Sequence, residues 1–436
     1  MSASGLLTPY FDHLQQETTL RWRGRILQVV GNLIESEGPF CSIGESCEVI
    51  GADGNRFSGE VVGFRGSTVL SMLLESPQGI RFGDRIEACG ARPSILVGPE
   101  LLGRVVNAGG CPLDSMGPYR SEKRIWVDGA APLPLARVPI REVLGCGIRA
   151  LDGFVTCGRG QRMGIFGGSG VGKSTLLGMM VRGTSADVTV LALVGERGRE
   201  VSEFLEAMGE EGRRRSVVVV STSDQSPLLR LRAALTATAI AEYFAAEGMH
   251  VLLVTDSVTR FAMAQREIGL AAGEPPTAKG YTPSVLNKLA RLVERAGSFR
   301  SGSITAFYTV LMEGDDQQDP VADTVRSLLD GHIVLDRNLA MRGHYPPIAV
   351  LESLSRLMPA IAASGHLEKA KRLRQLLAAY ARSEDLIRIG AYQKGTDPDL
   401  DRAVETLPKL NGFLQQGVDE MVNFASVVKA LEGVPD

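Results

Sequence analysis

The stretch Gly167-Gly168-Ser169-Gly170-Val171-Gly172-Lys173-Ser174 fits the spacing G-x-x-x-x-G-K-[ST] of a phosphate-cradling loop. Its context matters as much as its spelling. It follows the apolar run MGIFG (163–167) and opens a helical stretch, TLLGMMVRG (175–183). Glycines let the backbone wrap phosphates and aim several N–H groups at them, and a helix N-terminus adds a favourable dipole. Lys173 would reach the β- and γ-phosphate oxygens, and Ser174 would ligate Mg²⁺. The bland alternative is a glycine-rich turn in a chain with 50 glycines, but such a turn has no need of the strand and helix flanks.

Outward from this loop the pattern is periodic. The runs VTVLALVG (188–195), SVVVVS (216–221), HVLLVTDS (250–257), SITAFYTVL (303–311) and HIVLD (332–336) are continuously apolar, as parallel strands covered on both faces are. Stretches 227–247 and 284–296 between them have helical periodicity. Residues 93–357 therefore read as a doubly wound α/β domain. Residues 21–92 read instead as short strands broken by glycine turns, with Asp53-Gly54 a strong hairpin signal, and suggest a small β-barrel. Residues 358–436 contain no convincing strand. LEKAKRLRQLLAAY carries an apolar stripe at Leu367, Ala370, Leu373 and Leu377, Ser383 and Asp397-Pro398 read as helix starts, and Gly390 as a stop, giving a C-terminal helical domain. Residues 1–20 read as one helix, with Thr8 as N-cap and Tyr10, Phe11 and Leu14 on one face, either packed on the chain or a handle for a partner. Arg213 to Arg215 read as a solvated turn.

Composition excludes several classes. The chain has 436 residues, 44% hydrophobic and 22% charged, which is enough for a sizeable core and fits no disordered class. Lys and Arg total 47 against 50 Asp and Glu, a net charge of −3, so the basic excess of a nucleic-acid binder is missing. The barrel's few aromatics do not alternate with basic residues, so no stacking platform for bases emerges. No apolar run reaches membrane-spanning length, and the first residues lack the basic and apolar regions of a secretory signal. Six scattered cysteines without a CxxC pair argue for reduced thiols rather than zinc or disulfides.

Further candidates come from strand ends. Asp256 ends HVLLVTD, at the sheet edge where ligands bind, and could hold Mg²⁺ or simply cap the helix that starts at Ser257. Glu196 ends VTVLALVG. It could polarise an attacking water, or pair on the surface with Arg197 or Arg199. Arg260, one turn past Asp256, and Arg356, at the boundary with the helical region, are cations that could face a transferring phosphoryl group or be ordinary surface arginines. Tyr345 in His344-Tyr345-Pro346-Pro347 could stack on a base or sit in the core. The acidic loop Glu313-Gly314-Asp315-Asp316 is either a site edge or solvated.

Together GGSGVGKST, GERGRE (195–200), VTDSVTRFA (254–262), GYTPSVLNKLARLVERAG (280–297), EGDDQQDPVADTVRSLLDGHIVL (313–335), HYPPI and SLSRL resemble the type III export ATPases, flagellar and injectisome relatives of rotary ATP synthase catalytic subunits. VGPELLGRVVNAGGCPLDSMG (97–117) resembles that family's entry into its nucleotide domain. The resemblance implies an α/β, RecA-like P-loop domain with an N-terminal small β-barrel and a C-terminal helical domain. It implies a Mg²⁺-dependent ATP hydrolase in a homohexameric ring with sites between subunits. By match, Gly167 to Thr175 hold ATP, with Lys173 and Ser174 the P-loop contacts and Asp256 the Mg²⁺-side carboxylate. Glu196 matches the glutamate that activates water, Arg260 an arginine near the γ-phosphate, Arg356 the arginine finger given to the neighbour, and Tyr345 the aromatic on adenine. Asn107 stands where the family commonly has Asp.

The implied setting is cytoplasmic and peripheral at an inner-membrane export gate. The implied partners are an export regulator at residues 1–20, and a stalk protein with export chaperones and substrates at the C-terminal domain. The stretch 389–417 looks more like flagellar members than virulence ones. Glu196 disfavours a non-catalytic ring subunit, and a nucleotide-gated scaffold that binds ATP without turnover is a further reading. A rotary ATP synthase subunit and a Rho-like nucleic-acid motor are the other readings.

Overall fold

The computed structural model describes residues 21–312 and 319–435. The helix expected at 1–20 and the acidic loop at 313–316 lie outside the described residues.

The first unit is a closed barrel. Its strands are Arg23–Val30, Leu33–Glu37, Ser46–Ile50, Arg56–Arg65, Thr68–Leu73 and Arg85–Ala88. Alternation puts Ile26, Ile34, Val49, Val61, Leu73 and Ile86 inside, each at most 1% exposed. The expected hairpin at Asp53-Gly54 joins Ser46–Ile50 to Arg56–Arg65, with Gly54 at φ +84° and Asp53 Oδ1 accepting from the Asn55 N–H at 3.0 Å.

The second unit is a mostly parallel sheet. Its strands run, from edge to edge, Leu354–Ser355, Gly331–Val334, Arg162–Gly167, Ser303–Leu311, His250–Asp256, Val188–Glu196, Ser216–Thr222 and Val105–Asn107. Only the Leu354–Ser355 edge pairs antiparallel along this path. Successive strand residues feed opposite cores, which is why the runs are apolar throughout. Val190 and Ala192 pack with the helices Pro227–Ala246 and Val258–Ala272. Leu191 and Leu193 pack on the other face, with the helix Lys173–Gly183 that follows the glycine loop. The barrel is tied to this unit by Arg232 on Glu60 at 2.7 Å and by the Ser226 hydroxyl donating to the Leu74 carbonyl.

The C-terminal region is helical, with one correction. The helix Ser364–Arg388 runs straight through Ser383, which starts nothing. Its stop does lie at Gly390, at φ +74°, and the next helix, Pro398–Leu414, is capped by the Asp397 carboxylate accepting from Asp399 and Leu400. Ala370 and Leu373 are buried, and Leu367 and Leu377 are partly buried against the same core.

The basic run is also not a solvated turn. Arg213 and Arg214 close a short helix, and the half-buried Arg215 guanidinium donates to the carbonyls of Val181, Arg182, Thr184 and Ala186. It satisfies the carbonyls that the helix Lys173–Gly183 leaves open at its C-terminal end. All six cysteines are free, and no helix among the described residues is long and apolar enough to cross a membrane.

Candidate functional site

The strand Arg162–Gly167 delivers the chain to the sheet's C-terminal edge, and the helix Lys173–Gly183 takes it away. Gly170 and Gly172 turn between them at φ +78° and +98°, a region that side chains other than glycine's adopt with strain. No side chain caps this helix, so its first N–H groups face the loop's concavity, the arrangement that suits a bound phosphate. Val171 contributes only backbone here, because its side chain is 2% exposed and packs in the core. Gly167 still belongs to the strand and lies against Leu335.

A cavity of about 340 Å³ opens over the loop. Gly168, Ser169, Gly170, Gly172, Lys173, Ser174 and Thr175 line one side, and Glu196, Arg260 and Leu311 the other. Three charged groups meet beside it. The Lys173 ammonium lies 2.5 Å from Asp256 Oδ1 and 3.9 Å from Glu196 Oε1. Asp256, at the tip of its strand, is 3% exposed and takes a 2.6 Å hydrogen bond from Thr309 Oγ1 on the adjacent strand. It does not cap the following helix, since Ser257 does that. Glu196 is not a surface pair either: Arg197 goes to Glu200 and Arg199 to Glu203. Its Oε1 is buried without a hydrogen-bond partner. Burial, then the Asp256 charge, push the Glu196 carboxyl up to about 7, while Lys173 pulls it down.

Arg260 lies against Gly195, where a Cβ would come within 3.2 Å of its own, and its Nε is buried and unpaired. Two buried polar atoms beside one cavity that lack hydrogen-bond partners suit a site meant for a charged ligand. Ser174, Glu196 and Asp256 also border a common narrow void. A hydroxyl beside a carboxylate is a hard oxygen set, which fits Mg²⁺ bound by one or two protein groups together with substrate phosphates. Among the described residues no cluster of three or more His, Cys, Asp or Glu is placed to hold a metal ion.

Two candidates sit apart from these groups. Tyr345 is 47% exposed rather than in the core, and its ring lies about 3.6 Å from where a Cβ on Gly172 would be. Arg356 is exposed beyond the edge strand Leu354–Ser355 and does not line the cavity. Its own backbone N–H donates to the Asp330 carbonyl. Asn107 closes the loop after the far edge strand, its Oδ1 accepting from Gly109 and Cys111, both at 2.9 Å. An aspartate could accept the same pair.

Sequence reasoning missed Thr309, Arg337 and Glu200, which borders the cavity beside Glu196. Thr309 was within reach, since the parallel register pairs Thr255 with Tyr308 and so sets Thr309 beside Asp256. Arg337 follows the strand Gly331–Val334, and only the folded chain reveals that it returns to the loop at Ser169.

Three family models match: the ATP synthase alpha/beta beta-barrel domain over residues 26–90, its nucleotide-binding domain over 147–355, and the C-terminal domain of the EscN ATPase of type III secretion over 362–433. The flagellum-specific ATP synthase of Bacillus subtilis is 50% identical, covering 96% of this chain and 97% of its own. A type 3 secretion system ATPase of Xanthomonas euvesicatoria is 46% identical over 95% of this chain and 94% of its own. Among solved structures, the assembled ATPase EscN of enteropathogenic E. coli superposes with a TM-score of 0.90 at 43% identity, covering 94% of this chain and 99% of that one. EscN in complex with its central stalk EscO gives 0.87. With its three matched domains in order and near-full-length relatives at half identity, the chain belongs to the family of flagellum-specific ATP synthases and type III secretion ATPases.

Proposed function

We propose that this protein hydrolyses ATP with Mg²⁺ to power protein export, in the flagellar branch of its family. The observation that carries the reading is the meeting of Lys173, Asp256 and Glu196 under a P-loop, with Glu196 Oε1 buried and without a hydrogen-bond partner. The backbone N–H groups of residues 168–172 and the Lys173 ammonium would bind the β- and γ-phosphates. The Ser174 hydroxyl and Asp256 would hold Mg²⁺, whose charge, when bound, offsets that developing on the phosphoryl oxygens. Glu196 would accept the proton of the attacking water in line with the leaving oxygen. Its burial raises its basicity, and its neighbour Asp256 is held by Thr309 Oγ1 and the Lys173 ammonium. Arg260 would face the γ-phosphate, and Tyr345 would pack on adenine.

Arg356 is exposed and does not line the cavity of its own chain. This supports a role as a finger offered to a neighbouring copy in a homohexamer. The assembled relative and its stalk complex support the ring and a stalk partner. An export regulator at residues 1–20, chaperones and substrates at the C-terminal helices, and peripheral association with a membrane export gate complete the proposal. The same holds for the division at residues 20/21, 92/93 and 357/358. Higher identity to the Bacillus flagellar protein than to the Xanthomonas secretion ATPase favours the flagellar branch.

The test is steady-state phosphate release from Mg²⁺-ATP by wild type and Glu196→Gln. The variant should keep nucleotide binding and lose turnover by about 10²-fold or more, the range for a positioned general base. Turnover unchanged in Glu196→Gln would remove that residue from the chemistry.

A further inference from the structure

Arg337 opens the short helix Arg337–Met341, which Asp336 caps. Its side chain is exposed, with carboxylates nearby in sequence, yet it forms no ion pair among the described residues. Instead the guanidinium turns back on the P-loop. Its Nη2 donates to the Ser169 carbonyl at 3.5 Å and would lie 3.1 Å from a Cβ on Gly168. From there the chain reaches Tyr345, whose ring lies against Gly172 at the loop's other end. One segment thus contacts both ends of the P-loop. The same segment is fixed at its back, by Arg342 on Glu384 at 3.0 Å, by the Tyr345 carbonyl accepting from the Gln416 N–H, and by Asp336 N–H on the Pro347 carbonyl.

We propose that Arg337 is a positioning residue of the phosphate site. It holds the Ser169 carbonyl outward, so that the loop's N–H groups stay turned toward the triphosphate. This role rests on the ATPase reading and deepens it. A peptide unit is rigid, so pinning a carbonyl on one side directs the following N–H to the other. A glycine-rich loop has little intrinsic preference for one orientation, so an external restraint is needed to pre-organise it. A guanidinium suits the task, because it stays charged and keeps further donors after giving one to the carbonyl.

The experiment compares full-length wild type, Arg337→Ala, Arg337→Lys and Tyr345→Ala, with two readouts. One is KM and kcat for Mg²⁺-ATP; the other is inhibition by tripolyphosphate, which has phosphates but no base. Loss of a charge-assisted restraint predicts that Arg337→Ala raises both KM and the tripolyphosphate inhibition constant by about tenfold, with kcat changed far less. Arg337→Lys, which retains one cationic donor, should recover part of the loss, as should millimolar guanidinium added to the alanine variant. Tyr345→Ala should raise KM for ATP and leave tripolyphosphate inhibition unchanged. If Arg337→Ala keeps wild-type tripolyphosphate inhibition, or loses kcat alone, Arg337 does not position the loop and the proposal is overturned. If wild type itself does not turn over ATP, the ATPase reading fails instead.

Discussion

Asp152 shows how burial converts one carboxylate into a pH dependence. It is fully buried in the helix Arg149–Phe154 and accepts from the N–H groups of Cys146 and Gly147 at 2.8 and 3.1 Å. Burial pushes its carboxyl from the ordinary 3.8 up to about 7, against the pull of those donors. Between these values the folded chain holds a proton that the unfolded chain has released. The stability contributed by this group is therefore complete below the unfolded value and is lost as pH rises through about 7. In urea titrations at fixed ionic strength, the unfolding midpoint should fall from about pH 5 to about pH 8, and Asp152→Asn should flatten that slope. An unchanged slope in the variant would assign the pH dependence elsewhere. At this same scale the site was only partly legible. Lys173 and Ser174 follow from a local motif. Glu196 and Asp256 were visible as strand ends, but each kept a bland alternative until the fold joined them to Lys173. Arg215, read as a solvated charge, proved to be the C-terminal cap of a helix distant in sequence, which no local pattern encodes.

Elements explain which parts of the fold the sequence announces. Continuous apolar runs mark the parallel strands because both faces are covered, and they were found at the right places. Ser383 failed as a helix start because a serine in a helical stretch costs little when the flanking turns are already held, so Ser364–Arg388 continues through it. Short edge pieces such as Val105–Asn107 gave no period to detect. One glycine carries a strict requirement on packing. Gly147, at φ +74°, crosses the end of the helix that follows the P-loop, and a Cβ there would sit 2.5 Å from the Gly183 Cα. Backbone cannot yield as a flexible side chain does, so Gly147→Ala should destabilise by about 2–4 kcal/mol, read as a lower urea midpoint with unchanged slope. A wild-type midpoint would show that the crossing is looser than this geometry requires.

At the scale of the whole molecule, the proposal places the site between two copies of the chain. Lys173, Glu196 and Arg260 line the cavity, while the exposed Arg356, just past the edge strand, does not. A transition state with charge spread over the phosphoryl oxygens gains from a second cation, and the account takes that cation from another copy. Catalysis then depends on assembly, and damage to either side of an interface can be separated from damage to the other. Mixing Glu196→Gln with Arg356→Ala should restore part of the activity, because some mixed interfaces pair an intact Glu196 with an intact Arg356.

The most direct measurement of this claim is specific ATPase activity against protein concentration, for wild type, Glu196→Gln and Arg356→Ala. With a site shared between copies, wild-type specific activity rises cooperatively with concentration and both variants are inactive at every concentration. Activity that is flat with concentration, together with an active Arg356→Ala, would contradict it, leaving each chain to complete its own site.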